Sequence, residues 1–339
     1  MPVTPIFEKK NVLVTGGAGF IGSHLCEKLL KDSKVICLDS FINSSENNID
    51  HLLQNPNFEF IRWNINEPFE LEQFSELEKF KVKFQGVQEI YHLACPTSIK
   101  NFDQFRMDTL LTNCIGTRHV LDMAVKHKAK VVYASSSVVY GPRRPDGLPF
   151  REDDIGAVSH LTPRGCYDEG KRFGETMVQT YADVYGLDAK NARIFRTYGP
   201  RQRLFDGELF SDFIINAIDG EKLTIYGDEN FTTSLTYVGD IVDGLMKLMK
   251  APANIGPVNL GTDHDVKIFD VANLILKLTN SQSKIVFEPA LMFLTPLGLP
   301  DVTKAKERLG WLPLVRLEDG LKQAIDYTQA HRSLISFGT

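Results

Sequence analysis

Apolar, β-branched runs alternate with stretches of helical period through the first two thirds of the chain. NVLVTG at 11–16, KVICLDS at 34–40, FEFIRW at 58–63, EIYHLA at 89–94, KVVYASS at 130–136 and AKNARIF at 189–195 predict strands. The segments from about 19 to 30, 107 to 127 and 167 to 185 repeat their apolar positions with a helical spacing. Near-continuous apolar strands alternating with helices predict buried parallel strands covered on both faces, a Rossmann-type doubly wound sheet. After about residue 197 the pattern shortens: KLTIYG, TSLTYV and GPVNLG are small strand pieces, with helices expected near 240–250, 267–279 and 316–330. The pattern predicts an α/β Rossmann domain over 1–195, to which some later segments return, and a smaller mixed α/β lobe mainly over 196–339 that holds the substrate.

Composition narrows the function. The 339 residues are 43% hydrophobic and 24% charged, with a net charge of -5. That balance suits a globular protein and does not advertise a surface for nucleic acid or anionic lipid, though an acidic bulk leaves room for a local basic pocket. No run of eighteen apolar residues occurs, so no spanning helix is expected. The start, MPVTPIFEKKNVLVTGG, lacks a signal-peptide core, and the expectation is a cytoplasmic protein. Cys26, Cys37, Cys95, Cys114 and Cys166 are scattered, which fits free thiols in a reducing compartment. No CxxC or His/Cys cluster points to a metal.

The turn after the first strand, TGGAGFIGSHL, carries Gly16, Gly19 and Gly22. Glycines here permit a tight turn, close backbone approach to a pyrophosphate and close helix–strand packing, and the following helix offers free N–H groups. Asp39 ends the second strand, where a carboxylate would accept from a ribose diol and repel a 2′-phosphate. Strand, glycine turn, helix and acid together predict NAD binding, with NAD favoured over NADP. The alternative for Asp39 alone is a loop cap.

Tyr167 and Lys171 stand four apart in GCYDEGKRFGE, so they share a helical face. An ammonium beside a phenol favours the phenolate, which can take a proton from an alcohol as NAD takes the hydride. YASSSVVYG places Ser135, Ser136 and Ser137 at a strand end, where sheet sites gather.

These segments, with YHLACPTS, TNCIGTRHVLDMA, RIFRTYGPR, YGDEN, YVGDIVDGL, NLGT and AKERLGWLP, follow the order of the extended short-chain dehydrogenase/reductase (NAD-dependent epimerase/dehydratase) family, which the chain resembles from about residue 10 to 330. Within it, HLACPTS and PRGCYDEGKRFGETM look most like UDP-glucuronate decarboxylases, the UDP-xylose synthases. The resemblance implies a cofactor site at Gly16, Gly19, Phe20, Ile21, Gly22, Asp39, Ser40, Asn64, Ile65, Leu93, Thr112, Tyr167, Lys171 and Thr197. It implies catalysis by Ser136, Tyr167 and Lys171, a sugar nucleotide near Ser137 and Tyr181, and a homodimer pairing the helices near 107–127 and 167–185. The implied chemistry is oxidation at sugar C4, loss of CO2 from the resulting β-keto acid, and reduction at C4.

The departures sit on the substrate side. Val138 stands where the family's decarboxylases and 4,6-dehydratases usually carry an acid, and epimerases a small or neutral residue. Arg196 replaces a usual asparagine, while Thr233 and Gly298 stand at about the positions of two usual phosphate-side arginines. Arg196, Arg201 and Arg203 cluster instead on the loop after a strand, either as a solvated surface or as a replacement grip on the substrate's anion. Glu169 is either a catalytic carboxylate or a first-turn acid suited to a helix N-terminus. Three readings follow: a decarboxylase acting on a UDP-sugar, a nucleotide-sugar 4-epimerase or less readily a 4,6-dehydratase, and a non-catalytic NAD-binding protein.

Overall fold

A computed structural model describes residues 9–97, 102–204, 209–253, 255–289 and 296–335. The strands of its main sheet are β1 (Lys10–Thr15), β2 (Ser33–Asp39), β3 (Phe58–Arg62), β4 (Glu89–His92), β5 (Lys130–Ser136) and β6 (Ala189–Ile194). Shorter strands follow: β7 (Thr197–Tyr198), β8 (Leu223–Tyr226), β9 (Thr232–Ser234), β10 (Thr236–Tyr237), β11 (Val258–Leu260), β12 (Asp265–Lys267) and β13 (Ile285–Glu288). The helices are α1 (Phe20–Leu29), the single turn α2 (Val82–Gln85), α3 (Arg106–Leu111), α4 (Thr117–His127), α5 (Gly165–Tyr185), α6 (Leu209–Asp219), α7 (Val238–Lys250), α8 (Ile268–Thr279), α9 (Thr303–Leu309) and α10 (Leu317–Ile335).

Seven parallel strands run in the order β11-β6-β5-β4-β1-β2-β3. The order reverses between β1 and β4, and open sheets place ligands at the carboxyl ends of strands flanking such a switch. Val12 to Val14 of β1 and Val35 to Leu38 of β2 are fully buried, as strands covered on both faces require. One face packs on α1 and α7 around Leu25, Ile241 and Leu245. The other packs on α4 and α5 around Val120, Leu121 and Val178.

GPVNLG, read in sequence as part of the small lobe, belongs to the main sheet: Val258 to Leu260 register beside Ala192 to Ile194 of β6. Helix α7 likewise packs on α1. Three residues are too short a run for periodicity to reveal which sheet they join. Helix α9 also joins the main sheet's core through Ala305, while α6, α8 and α10 build a separate core around Phe210, Phe213, Ile275 and Leu321. The predicted helix over 107–127 is α3 and α4 joined by a π turn at Thr112–Gly116, an interruption that often marks a functional site.

Candidate active site

The turn between β1 and α1 is built by close approach. Gly16 has φ +71, and a Cβ there would lie 2.7 Å from the Ala94 nitrogen. A Cβ on Gly22 would stand 2.1 Å from the Gly16 carbonyl oxygen, so only glycine lets the helix start this close to the turn. Gly19 caps α1 without a side-chain acceptor, which leaves the first N–H groups open to an anion.

Asp39 closes the other end of this turn. Its Oδ2 accepts from the Ala18 N–H at 3.0 Å, and its Oδ1 accepts from the Phe41 N–H at 2.9 Å and the Ser44 hydroxyl at 2.7 Å. The carboxylate therefore organises two loops and also lines the cleft.

A cleft of about 740 Å³ runs from this turn along the carboxyl edge of the sheet. Every residue the family resemblance assigned to the cofactor lines it: Gly16, Gly19, Phe20, Ile21, Gly22, Asp39, Ser40, Asn64, Ile65, Leu93, Thr112, Tyr167, Lys171 and Thr197. Ser136, Ser137, Val138, Arg196, Arg201 and Arg203 share the same wall space. The glycine cradle, the uncapped helix start and the acid beyond them fit a dinucleotide.

At the far end stand Ser136, Tyr167 and Lys171. The phenol of Tyr167 is hydrogen-bonded to the Ser136 side chain. Lys171, buried, donates from Nζ to the Ala134 carbonyl at 2.8 Å, and Nζ lies 5.9 Å from the centre of the Tyr167 ring. The sequence predicts that the ammonium lowers the phenol's pKa. In the structure burial dominates: burial, with Cys95, pushes the Tyr167 phenol up, burial pushes the Lys171 ammonium down, and the Ser136 hydrogen bond and the Arg164 charge pull the phenol back toward ionisation.

Two candidates lie elsewhere. Tyr181 is outside the cleft: its hydroxyl donates to Asp122 Oδ1 at 2.6 Å on the α4 side, because nearly four turns of α5 carry it about 21 Å along the helix axis from Tyr167. Glu169 also points away from the cleft and pairs with Arg172 at 3.4 Å, the i,i+3 geometry of a helix surface. On the substrate side, Thr233 is buried and does not line the cleft. A Cβ on Gly298 would meet the Phe150 ring at 2.5 Å, so no side chain fits that position without repacking. The adjoining 290–295 stretch lies outside the described residues.

Tyr327 and His331 of α10 also line the cleft, their rings stacked 4.1 Å apart. Nothing in the sequence joins a helix near the carboxyl terminus to the glycine turn; only the tertiary fold does.

The model of the NAD dependent epimerase/dehydratase family matches residues 12–261. The chain belongs to that family. It is accordingly an NAD-dependent enzyme of the extended short-chain dehydrogenase type. It is 41% identical over 321 residues to UDP-glucuronic acid decarboxylase 1 of Danio rerio, covering 94% of this chain and 73% of that protein. It is 40% identical over 311 residues to UDP-glucuronic acid decarboxylase 4 of Arabidopsis thaliana, covering 91% and 66%. Among solved structures, this family member is similar to an epimerase of Methanothermobacter thermautotrophicus, with TM-score 0.85, 30% identity and 98% and 96% of the chains covered. It is also similar to the Bacillus cereus UDP-glucuronic acid 4-epimerase solved with UDP-glucuronic acid and NAD, with TM-score 0.81, 29% identity and 94% and 99% covered. Among the described residues no cluster could hold a metal ion, and no helix is long and apolar enough to cross a membrane.

Proposed function

We propose that the enzyme is a UDP-glucuronate decarboxylase that forms UDP-xylose through a transient 4-keto sugar. The observation that carries this reading is the convergence of Ser136, Tyr167 and Lys171 on one end of the dinucleotide cleft, in a chain whose curated relatives carry the decarboxylase name. Tyr167, as phenolate, takes the proton of the C4 hydroxyl, and Ser136 holds the same oxygen. Lys171 supplies the positive charge that favours the phenolate. The glycine turn and Asp39 would hold NAD, which would supply the hydride acceptor for C4 and the donor for its reduction. The 4-ketone makes the C5 carboxylate a β-keto acid; the C–CO2 bond breaks, its electron pair enters the carbonyl, and C5 is then protonated. Reduction at C4, with Tyr167 giving its proton back, closes the cycle.

A second reading, 4-epimerisation with the carboxylate kept, is favoured by Val138. That side chain lines the cleft two residues from Ser136 and can neither give nor take a proton. Incubation with UDP-glucuronate and mass spectrometry of the product separates the two. Loss of CO2 supports decarboxylation, unchanged mass with a new stereoisomer supports epimerisation, and no conversion of any UDP-, dTDP-, GDP- or CDP-sugar returns the protein to a binding role.

Arg196, Arg203 and Ser137 are the groups we assign to the sugar nucleotide. We also propose a homodimer. Met107, Leu110 and Ile115 beside Phe173, Val184 and Tyr185 leave an exposed apolar face on α3, the π turn and α5, which a second copy would bury. Sedimentation as a monomer at micromolar concentration would refute it. The five free cysteines support a reducing, cytoplasmic setting, which cell fractionation checks.

A further inference from the structure

Three successive residues at the carboxyl end of β5 are each held by a different turn of α5. Lys171 donates to the Ala134 carbonyl at 2.8 Å, Ser135 Oγ donates to Glu175 Oε1 at 2.5 Å, and Ser136 is bonded to Tyr167. Tyr167, Lys171 and Glu175 are spaced by four, so one helical face presents all three. Two of them belong to the reacting set. Glu175 does not, and it lies behind the cleft rather than in it.

Glu175 is itself braced. Arg193 of β6 meets both carboxylate oxygens, with Nε 2.9 Å from Oε1 and Nη2 2.8 Å from Oε2. A two-point guanidinium–carboxylate contact fixes orientation as well as charge. Arg193 Nη1 also donates to the Tyr140 hydroxyl at 2.8 Å and the Glu152 carbonyl at 3.0 Å, and Tyr140 donates to Asn259 Oδ1 at 2.7 Å. The chain of bonds runs from the cleft at Ser135 to β11 at the sheet edge.

We propose that Glu175 is a positioning residue for the Ser136–Tyr167–Lys171 set: braced by Arg193, it locks the end of β5 to α5 and sets a negative charge one helical turn from the Lys171 ammonium. The proposal rests on Tyr167 and Lys171 acting as argued above.

The surroundings of Lys171 give Glu175 a specific task. Nζ lies 4.9 Å from the centre of the Tyr133 ring, and Cys95 is hydrogen-bonded to it. His92 faces it from β4 with its pKa lowered to about 3 by burial and by the Lys171 charge, so it is neutral near pH 7. Burial also pushes the Tyr133 and Tyr167 phenols up, so neither adds a standing negative charge beside Lys171 before substrate arrives. Burial pushes the ammonium down; Cys95 and Glu175 oppose it, and Glu175 is the carboxylate of the two. Arg193 tempers that charge while fixing its place.

The test follows the Lys171 titration by carbon NMR of ε-labelled lysine in the NAD-loaded protein, beside pH profiles of kcat/KM with UDP-glucuronate. In Glu175→Gln, which keeps the side chain's size, the Lys171 midpoint and the alkaline limb are expected to fall by about one pH unit. In Glu175→Asp the midpoint stays and kcat falls, since charge is kept and reach is lost. In Ser135→Ala, which leaves the Arg193 pair intact, kcat falls at least several-fold with NAD affinity kept. A Glu175→Gln midpoint equal to the wild type overturns the proposal. If that variant does not fold, an unchanged kcat in Ser135→Ala overturns it. Absence of wild-type turnover would sink the functional reading alone, because the NMR midpoint still tests the charge.

Discussion

Arg201 Nη2 lies 2.6 Å from Glu27 Oε2, tying the loop after β7 to α1 across the mouth of the dinucleotide cleft. His51 joins the pair at 3.3 Å from Glu27, and the His24 imidazole donates from Nε2 to the Pro200 carbonyl at 2.9 Å. The three-arginine grip suggested by the sequence therefore divides. Arg201 is committed to Glu27, while Arg203 stays exposed at the cleft.

This division predicts different losses. Arg201→Ala is expected to speed NAD release several-fold with a smaller change in the KM for the UDP-sugar. Arg203→Glu is expected to raise that KM at least tenfold with NAD affinity nearly unchanged. Fluorescence titration of NAD and initial rates measure both, and equal effects on the two ligands in Arg203→Glu would contradict the assignment. Glu27→Gln should cost no more than about 1 kcal/mol of stability, because Glu27 is half exposed and solvent screens the pair.

Asp39 carries a second prediction. Its three donors would be stranded by Asp39→Ala, and the Ala18 N–H, buried, would lose its acceptor. An orphaned buried donor costs about 1–3 kcal/mol. The variant should melt at a lower temperature and bind NAD at least tenfold more weakly. Its preference for NAD over NADP should shrink as well, since the repelling carboxylate is gone. Loss of NAD affinity without any change in melting would mean that the carboxylate serves only the ligand.

Acid should destabilise the fold through two histidines. Burial, helped by the Arg201 charge, lowers His24 to about 4, and burial with the Lys171 charge lowers His92 to about 3. The unfolded chain takes up these protons as pH falls through 6.5, while the folded chain refuses them until much lower pH. Stability is thus complete above pH 6.5 and declines toward pH 4, by about 2 kcal/mol per histidine between pH 7 and 5. His92 sits between the hydroxyls of Thr15 and Thr117, at 2.7 and 3.1 Å, and His92→Asn should remove about half of the slope. Urea unfolding at the two pH values gives the answer; parallel slopes would reject the attribution.

What is legible in the sequence follows from the range of each signal. The glycine turn, Asp39 and the Tyr167–Lys171 pair are local patterns whose spacing encodes their geometry, and the structure gathers them on one cleft. Tyr181 shares the helix of Tyr167 but stands beyond the cleft, because fourteen residues of α5 separate the two along its axis. Glu175 lies within the motif, but its spacing carries no sign of its role, since its partners Ser135 and Arg193 come from other strands. Tyr327, His331 and the placement of β11 depend wholly on tertiary packing.

Val138 supplies the sharpest test of the chemistry. Its N–H is 3.4 Å from Ser136 Oγ, and its side chain lines the cleft while only 3% of the residue is exposed. A carboxylate placed there would be partly desolvated and so would ionise less readily, which suits a group that gives a proton to C5 after CO2 leaves. Val138→Glu should therefore raise the share of product that has lost CO2 several-fold over product that has kept it. NAD affinity should hold, since the glycine turn and Asp39 are untouched. Val138→Thr, which adds a hydroxyl but no ionisable group, should leave the product ratio where it is. Mass spectrometry after a single turnover reads the ratio directly, and an equal shift in both variants would assign the effect to shape rather than to the proton.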